Sequence, residues 1–180
     1  MSRPTSPSIS AAATAVLLLV ATAPALGNGN ASANGRFIDL KGADAGTAEL
    51  TQTNAGVLIE IEIRGLQTGA HGFHVHATGN CDAANKFKSA GDHLAMNDQR
   101  HGFFVQGGPH SGDMPNQFVG QDGVLKAQML APAIGLQGAS TIFDADGAAL
   151  VVHAGPDDYR SQPSGNSGDR VACAVLRPVQ

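Results

Sequence analysis

Residues Gly56 to Gly65 read Gly-Val-Leu-Ile-Glu-Ile-Glu-Ile-Arg-Gly, and from Ile59 onward apolar and charged residues alternate. A period of two puts Ile59, Ile61 and Ile63 on one face and Glu60 and Glu62 on the other, which suits a half-buried β-strand and not a helix. Shorter β-like runs recur from Arg36 onward: Ala48 to Gln52, Gly72 to Ala77, Gly123 to Leu130, Ser140 to Phe143, Ala148 to His153 and Val171 to Leu176. Asp144 to Gly147 reads as a hairpin-like turn between two of them. Glycine is abundant, at 23 residues, which suits tight turns between short strands. No internal repeat and no long amphipathic helix interrupts this pattern. The expectation is an all-β sandwich or flattened barrel carrying two long polar loops, Ala77 to Asn116 and Gly155 to Asp169. Loops of that length in a compact domain tend to be functional.

The first 27 residues have a different character. Arg3 precedes an apolar run from Ala11 to Val20, and small residues follow through Ala25 to Gly27. That pattern reads as a secretory signal peptide, the run being short of the ~20 apolar residues a membrane span needs. Residues 28–34 are small and polar and read as a flexible leader, leaving one domain over 35–180. An exported chain, periplasmic or secreted, with two cysteines, Cys81 and Cys173, is expected to form a disulfide. Loss of Arg3 takes the formal charge from −4 to −5. An acidic chain of this kind argues against nucleic acid as a partner.

Chemistry concentrates in the histidines, His71, His74, His76, His93, His101, His110 and His153, none of which precedes residue 71. In His74-Val75-His76, residues i and i+2 of a strand share a face, so two imidazoles can grip one ion while Val75 points to the core. Alone, this H-x-H is a weak motif. The loop adds His93, His101, His110 and, three residues on, Asp113, whose spacing lets a turn bring imidazole and carboxylate to one ion. Three nitrogens and a carboxylate oxygen make a closed tetrahedral zinc site, and nitrogen-rich sites favour copper.

Four motifs in order carry a family resemblance: Gly72-Phe73-His74-Val75-His76; Gly91-Asp92-His93 followed by His101-Gly102 and Pro109-His110-Ser111-Gly112-Asp113; Val151-Val152-His153; and Gly165-Asn166-Ser167-Gly168-Asp169-Arg170-Val171-Ala172-Cys173. From about residue 36 to the end the chain resembles the copper–zinc superoxide dismutases. His153 to Tyr159 is most similar to their bacterial periplasmic branch.

The resemblance implies a Greek-key β-sandwich of about eight antiparallel strands, a fold class to which this family belongs. It implies one copper per chain on His74, His76, His93 and His153, and one zinc on His93, His101, His110 and Asp113. His93 would bridge the two as an imidazolate. Asp157 would tie a copper histidine to a zinc histidine, Arg170 would bind the anion, and His71 would be structural. The implied reaction is dismutation of superoxide, a small anion, to dioxygen and hydrogen peroxide by a Cu(II)/Cu(I) cycle, with His93 and Arg170 as the catalytic side chains. A Cys81–Cys173 bridge would hold the Arg170 segment against the metal loop. Lys86, Lys88 and Arg160 are candidate steering cations, and Asp169 would partly offset the charge of Arg170. The resemblance also admits a homodimer. Five positions depart from the family's pattern: Ala77 where Glu is common, Leu94-Ala95-Met96 in place of Phe-Asn-Pro, and Ala174 in place of Gly.

Overall fold

The structure, a computed structural model, describes Met1 and residues 30–179. The expected signal peptide therefore lies, apart from Met1, outside the described residues. Among the described residues nine strands follow in chain order: β1 Ser32–Asp39, β2 Asp44–Thr53, β3 Gly56–Arg64, β4 Gly69–His71, β5 Phe73–His76, β6 Gln117–Val119, β7 Val124–Ala131, β8 Ala149–His153 and β9 Arg170–Pro178. All pairings of these strands are antiparallel. Seven strands form one curled sheet in the order β5-β8-β9-β1-β2-β3-β7, and β4 pairs with β6 in a second, small sheet. The out-of-sequence neighbours β1–β9, β3–β7 and β5–β8 give the flattened Greek-key barrel its crossovers.

The Gly56–Gly65 alternation performs as its period dictates. Val57, Ile59, Ile61 and Ile63 are buried in the main core, while Glu60 faces solvent. Burying each such side chain contributes roughly 1.5–3 kcal/mol. In β8 every residue is buried, because two layers use it. Leu150 and Val152 face the main core, whereas Ala149 and Val151 face a smaller cluster with Phe87, Ala90 and Cys173 under the first long loop. β5 is divided in the same way: Phe73 and Val75 belong to the main core, and His74 and His76 take the other face.

Several expectations need correction. The strand β1 starts at Ser32, so the last residues of the polar leader (28–34) are already paired, Ser32 with Thr51 and Asn34 with Glu49. Backbone pairing can recruit polar residues at a strand's end when the neighbouring strand extends that far. Ser140–Phe143 is no strand: a single 3-10 turn at Gly138–Ser140 leads to an isolated bridge between Gly135 and Thr141, and Ile142 plugs the core. Asp144 to Gly147 is consequently not a hairpin. It is a turn in which the Asp144 carboxylate accepts from the Asp146 and Gly147 N–H groups. The three-residue strands β4 and β6 are too short to leave a period in the sequence. Both long loops fall where expected, between β5 and β6 and between β8 and β9.

Candidate metal centre

The free edge of β5 positions the centre. Val75 N–H donates to Gly112 O (2.9 Å), Leu94 N–H donates to Val75 O (2.9 Å), and Gly112 N–H donates to Leu94 O (2.8 Å). This three-cornered backbone knot lays two distant parts of the first loop against the strand, pairing His76 with His93 and His74 with Asp113. Gly112 is required by the closeness of approach, since a Cβ there would lie 2.3 Å from Val75 O. Leu94 and Met96 pack on the core and anchor the loop beside it.

Two donor groups result, each with its ligand atoms within 4.8 Å of one another: His74, His76, His93 and His153; and His93, His101, His110 and Asp113. His93 belongs to both. All eight sequence-derived positions converge here, counting Asp157, which links the groups from behind. One oxygen of Asp157 accepts from His74 Nε2 (2.7 Å) and the other from His101 Nε2 (3.0 Å). His71 stays outside, with its nitrogens 2.7 Å from the carbonyls of His153 and Gln67.

The second partner of each ring fixes which nitrogen looks inward. His76 donates from Nδ1 to Gly91 O (3.0 Å) and His153 from Nδ1 to Gly168 O (3.3 Å), which leaves their Nε2 lone pairs facing each other at 3.4 Å. His74 and His101 donate from Nε2 to Asp157, which leaves Nδ1 of each inward. Among the described residues, His74 Nδ1, His93 Nε2 and His101 Nδ1 are buried without a hydrogen-bond partner. His101 Nδ1 does lie 3.0 Å from Asp113 Oδ2. The two atoms are close but not aligned as donor and acceptor, as expected of two ligands aimed at a common point. Burying unpaired polar atoms costs about 1–3 kcal/mol each, and a metal ion removes that cost. The donor chemistry fits copper at the all-nitrogen group and zinc at the closed three-nitrogen, one-oxygen group.

Electrostatics agree with that reading. Burial, together with neighbouring imidazoles, pushes His93 down to about 4 and His153 down to about 3, and it lowers His74 and His76 as well. Neutral imidazoles are the ligating form. Burial also works against a charge on His101, but the carboxylates of Asp113 and Asp157 outweigh it and hold this ring up at about 9. Both carboxyls stay well below their usual range despite burial, because imidazoles crowd them, His101 and His93 at Asp113 and His101 and His74 at Asp157. Without metal, an imidazolium thus sits between two carboxylates, and an ion binding at Nδ1 displaces a proton.

Side chains that the sequence did not single out hold this centre from outside. Asn116 pairs with the backbone of Asp157 at two points: Nδ2 donates to Asp157 O (2.9 Å), and Asp157 N–H donates to Oδ1 (2.8 Å). Gln162 does the same for His101, at 2.8 and 3.1 Å. Gly165, at φ +69°, lies so near the Asp157–His101 contact that a Cβ would stand 2.6 Å from His101 Nε2. An amide in a long polar loop carries no signal of such a role.

A cleft of about 430 Å³ opens onto the centre, with His93, His110, His153 and Arg170 on its wall together with Lys86, Lys88, Asp92 and Asp169. The Arg170 guanidinium donates to Phe87 O and Gly91 O, both at 2.7 Å. Those carbonyls lie in the segment tethered by the Cys81–Cys173 disulfide, whose Cα atoms are 5.7 Å apart. Closing so long a loop stabilises by roughly 4–5 kcal/mol in the chain-entropy model. Asp169 pairs with Lys86 (3.1 Å), not with Arg170. Arg160 is absent from the wall and lies over the Phe104 ring.

An antiparallel Greek-key barrel that uses one imidazole to join a four-nitrogen site to a closed N3O site defines a class of paired-metal β-barrel proteins. Residues 44–176 match the family model for copper/zinc superoxide dismutase. A Cu-Zn superoxide dismutase of Aquifex aeolicus is 42% identical over 148 residues, which is 81% of this chain and 86% of that protein. The crystal structure of a superoxide dismutase-like protein from Bacillus subtilis superposes with a TM-score of 0.77 at 35% identity, covering 80% of this chain and 97% of that one. The Cu/Zn superoxide dismutase from Brucella abortus does so with 0.67 at 26% identity, covering 81% and 99%. The chain belongs to the copper/zinc superoxide dismutase family, a family of oxidoreductases.

Proposed function

We propose that this chain dismutates superoxide outside the cytoplasm, with copper on His74, His76, His93 and His153 and zinc on His93, His101, His110 and Asp113. The observation that carries the reading is the placement of His93: Nδ1 lies 2.9 Å from Asp113 Oδ1 in one donor group, while Nε2 points unpaired into the other. Both nitrogens of one ring can ligate only as an imidazolate, and two adjacent cations make that proton loss favourable.

Two superoxide anions and two protons give dioxygen and hydrogen peroxide. Copper, when bound, would supply the one-electron oxidation and reduction, and zinc would be held by His93, His101, His110 and Asp113. The chain's own residues do the rest. Arg170, fixed by two carbonyls, presents a half-buried guanidinium that binds and orients the anion. Lys88 and Lys86 add positive potential at the cleft, against the chain's negative net charge; enzymes of this family are themselves a known instance of such steering. His93 Nε2 takes a proton between the two half-reactions and yields it to the departing peroxide. Asp157 and Asp113 keep the neighbouring rings in place while that proton moves.

Export is supported by the secretory pattern of residues 1–27 and by the disulfide, which persists in oxidising compartments. Metal analysis with an activity assay, with and without added copper, tests the proposal. The expected result is one copper and one zinc per chain and an activity that rises with copper content. A fully loaded, inactive protein contradicts it.

A further inference from the structure

Both donor groups reach the same cleft. Its wall carries His93 and His153 from the first group, and His93 and His110 from the second. In the second group the side chains of His93, His101 and Asp113 are 3%, 0% and 1% exposed, whereas that of His110 is 13% exposed. Ala95 lies on the same wall and is itself exposed, while its neighbours Leu94 and Met96 pack toward the core. At this point of the wall Ala95 presents only a methyl group to the cleft.

The competing route to the second group is an opening of the two long loops. That would part Asn116 from Asp157, Gln162 from His101, and Asn116 N–H from the Tyr159 hydroxyl (2.7 Å) together. Each such bond contributes about 1 kcal/mol net, so a concerted opening is rare.

We propose that the divalent cation of the second group enters and leaves through the cleft, with His110 as the first ligand it meets and Ala95 as the gap in the wall. This rests on the ligand assignment above. It makes the second metal exchangeable without unfolding of the loops that bury it.

The test follows zinc release from the copper- and zinc-loaded protein into an excess of a small chromophoric chelator. A chelator that reaches the ion through the cleft gives a release rate that rises in proportion to its concentration. Ala95→Phe, which fills the gap, slows release by about tenfold. Ala95→Leu slows it less, in the same direction, and serves if the larger side chain prevents folding. Unchanged visible copper absorption in each variant shows the first group intact. A release rate that is independent of chelator concentration, and equal in wild type and both variants, overturns the proposal. A protein that takes up no zinc before chelator is added overturns the ligand assignment itself, so the two failures are distinguishable.

Discussion

His76 Nδ1 and Arg170 Nη2 end on the same acceptor, the carbonyl of Gly91, at 3.0 and 2.7 Å. One backbone oxygen therefore aims a ligand of the first donor group and places the cation beside it. The orientation of His76 and the position of the anion site move together or not at all.

Arg170→Lys tests the part that geometry plays. Lysine keeps the charge but has no planar fork to span Phe87 O and Gly91 O. Dismutation is expected to fall about tenfold or more, the equivalent of losing a charge-assisted hydrogen bond of roughly 1.5–3 kcal/mol, with copper content unchanged. Stopped-flow rates set against copper analysis check this. Wild-type activity in the lysine variant would mean that charge alone suffices.

Asp169 restrains Lys86 at the cleft, whereas Lys88 makes no ion pair among the described residues. Asp169→Asn releases Lys86 and removes a negative charge next to Arg170. The rate should rise about two- to fivefold at low ionic strength, where the screening length is ~30 Å, and converge on wild type at high salt. Lys88→Gln should slow it over the same range. A salt profile parallel to wild type in both variants would remove these residues from the account of steering.

Gln162 clamps His101 alone, but Asn116 clamps Asp157, which serves a ring in each group. Gln162→Ala should therefore weaken zinc and spare copper. Asn116→Ala should weaken both, by about 10- to 100-fold in affinity, the usual scale for loss of a supporting partner. Competitive metal titrations distinguish these outcomes, and equal losses of both metals in the two variants would show that the clamps are not separable.

Without metals, stability should depend on pH in two directions. His93 near 4 and His153 near 3 lie below the ordinary 6.5. Over that window the unfolded chain binds more protons than the folded one, so stability falls as pH falls. The lowered pKa values of Asp113 and Asp157 act in the same sense at more acid pH. His101, raised to about 9, contributes stability below 6.5 that is lost as pH rises through 9. Calorimetry of the metal-free protein should give a maximum Tm near neutrality with the steeper fall on the acid side. A flat profile would contradict the neutral, buried state of His93 and His153.

How far the sequence reaches can be judged on particular residues. The Ile59–Ile63 alternation, the placement of Val75 and both loop boundaries follow from periodicity and composition. The eight site positions came from spacing together with family resemblance, because loop residues have no period to read. Asn116 and Gln162 stayed hidden for a physical reason: their partners are the backbones of residues 41 or more positions away. The same holds for β4 and β6, and for Ser140–Phe143, where an apolar residue fills the core without a strand to carry it. Ala95 is a departure from the family's pattern whose meaning depends on its neighbours facing inward.

The most direct test of the central claim is the dismutation rate, per bound copper, of the loaded protein and of His153→Ala. His153 contributes to the first group alone and lies on the cleft wall. Rapid dismutation in the wild type, lost together with normal copper binding in His153→Ala, is the expected result. A His153→Ala protein that keeps full copper and full activity would contradict the account.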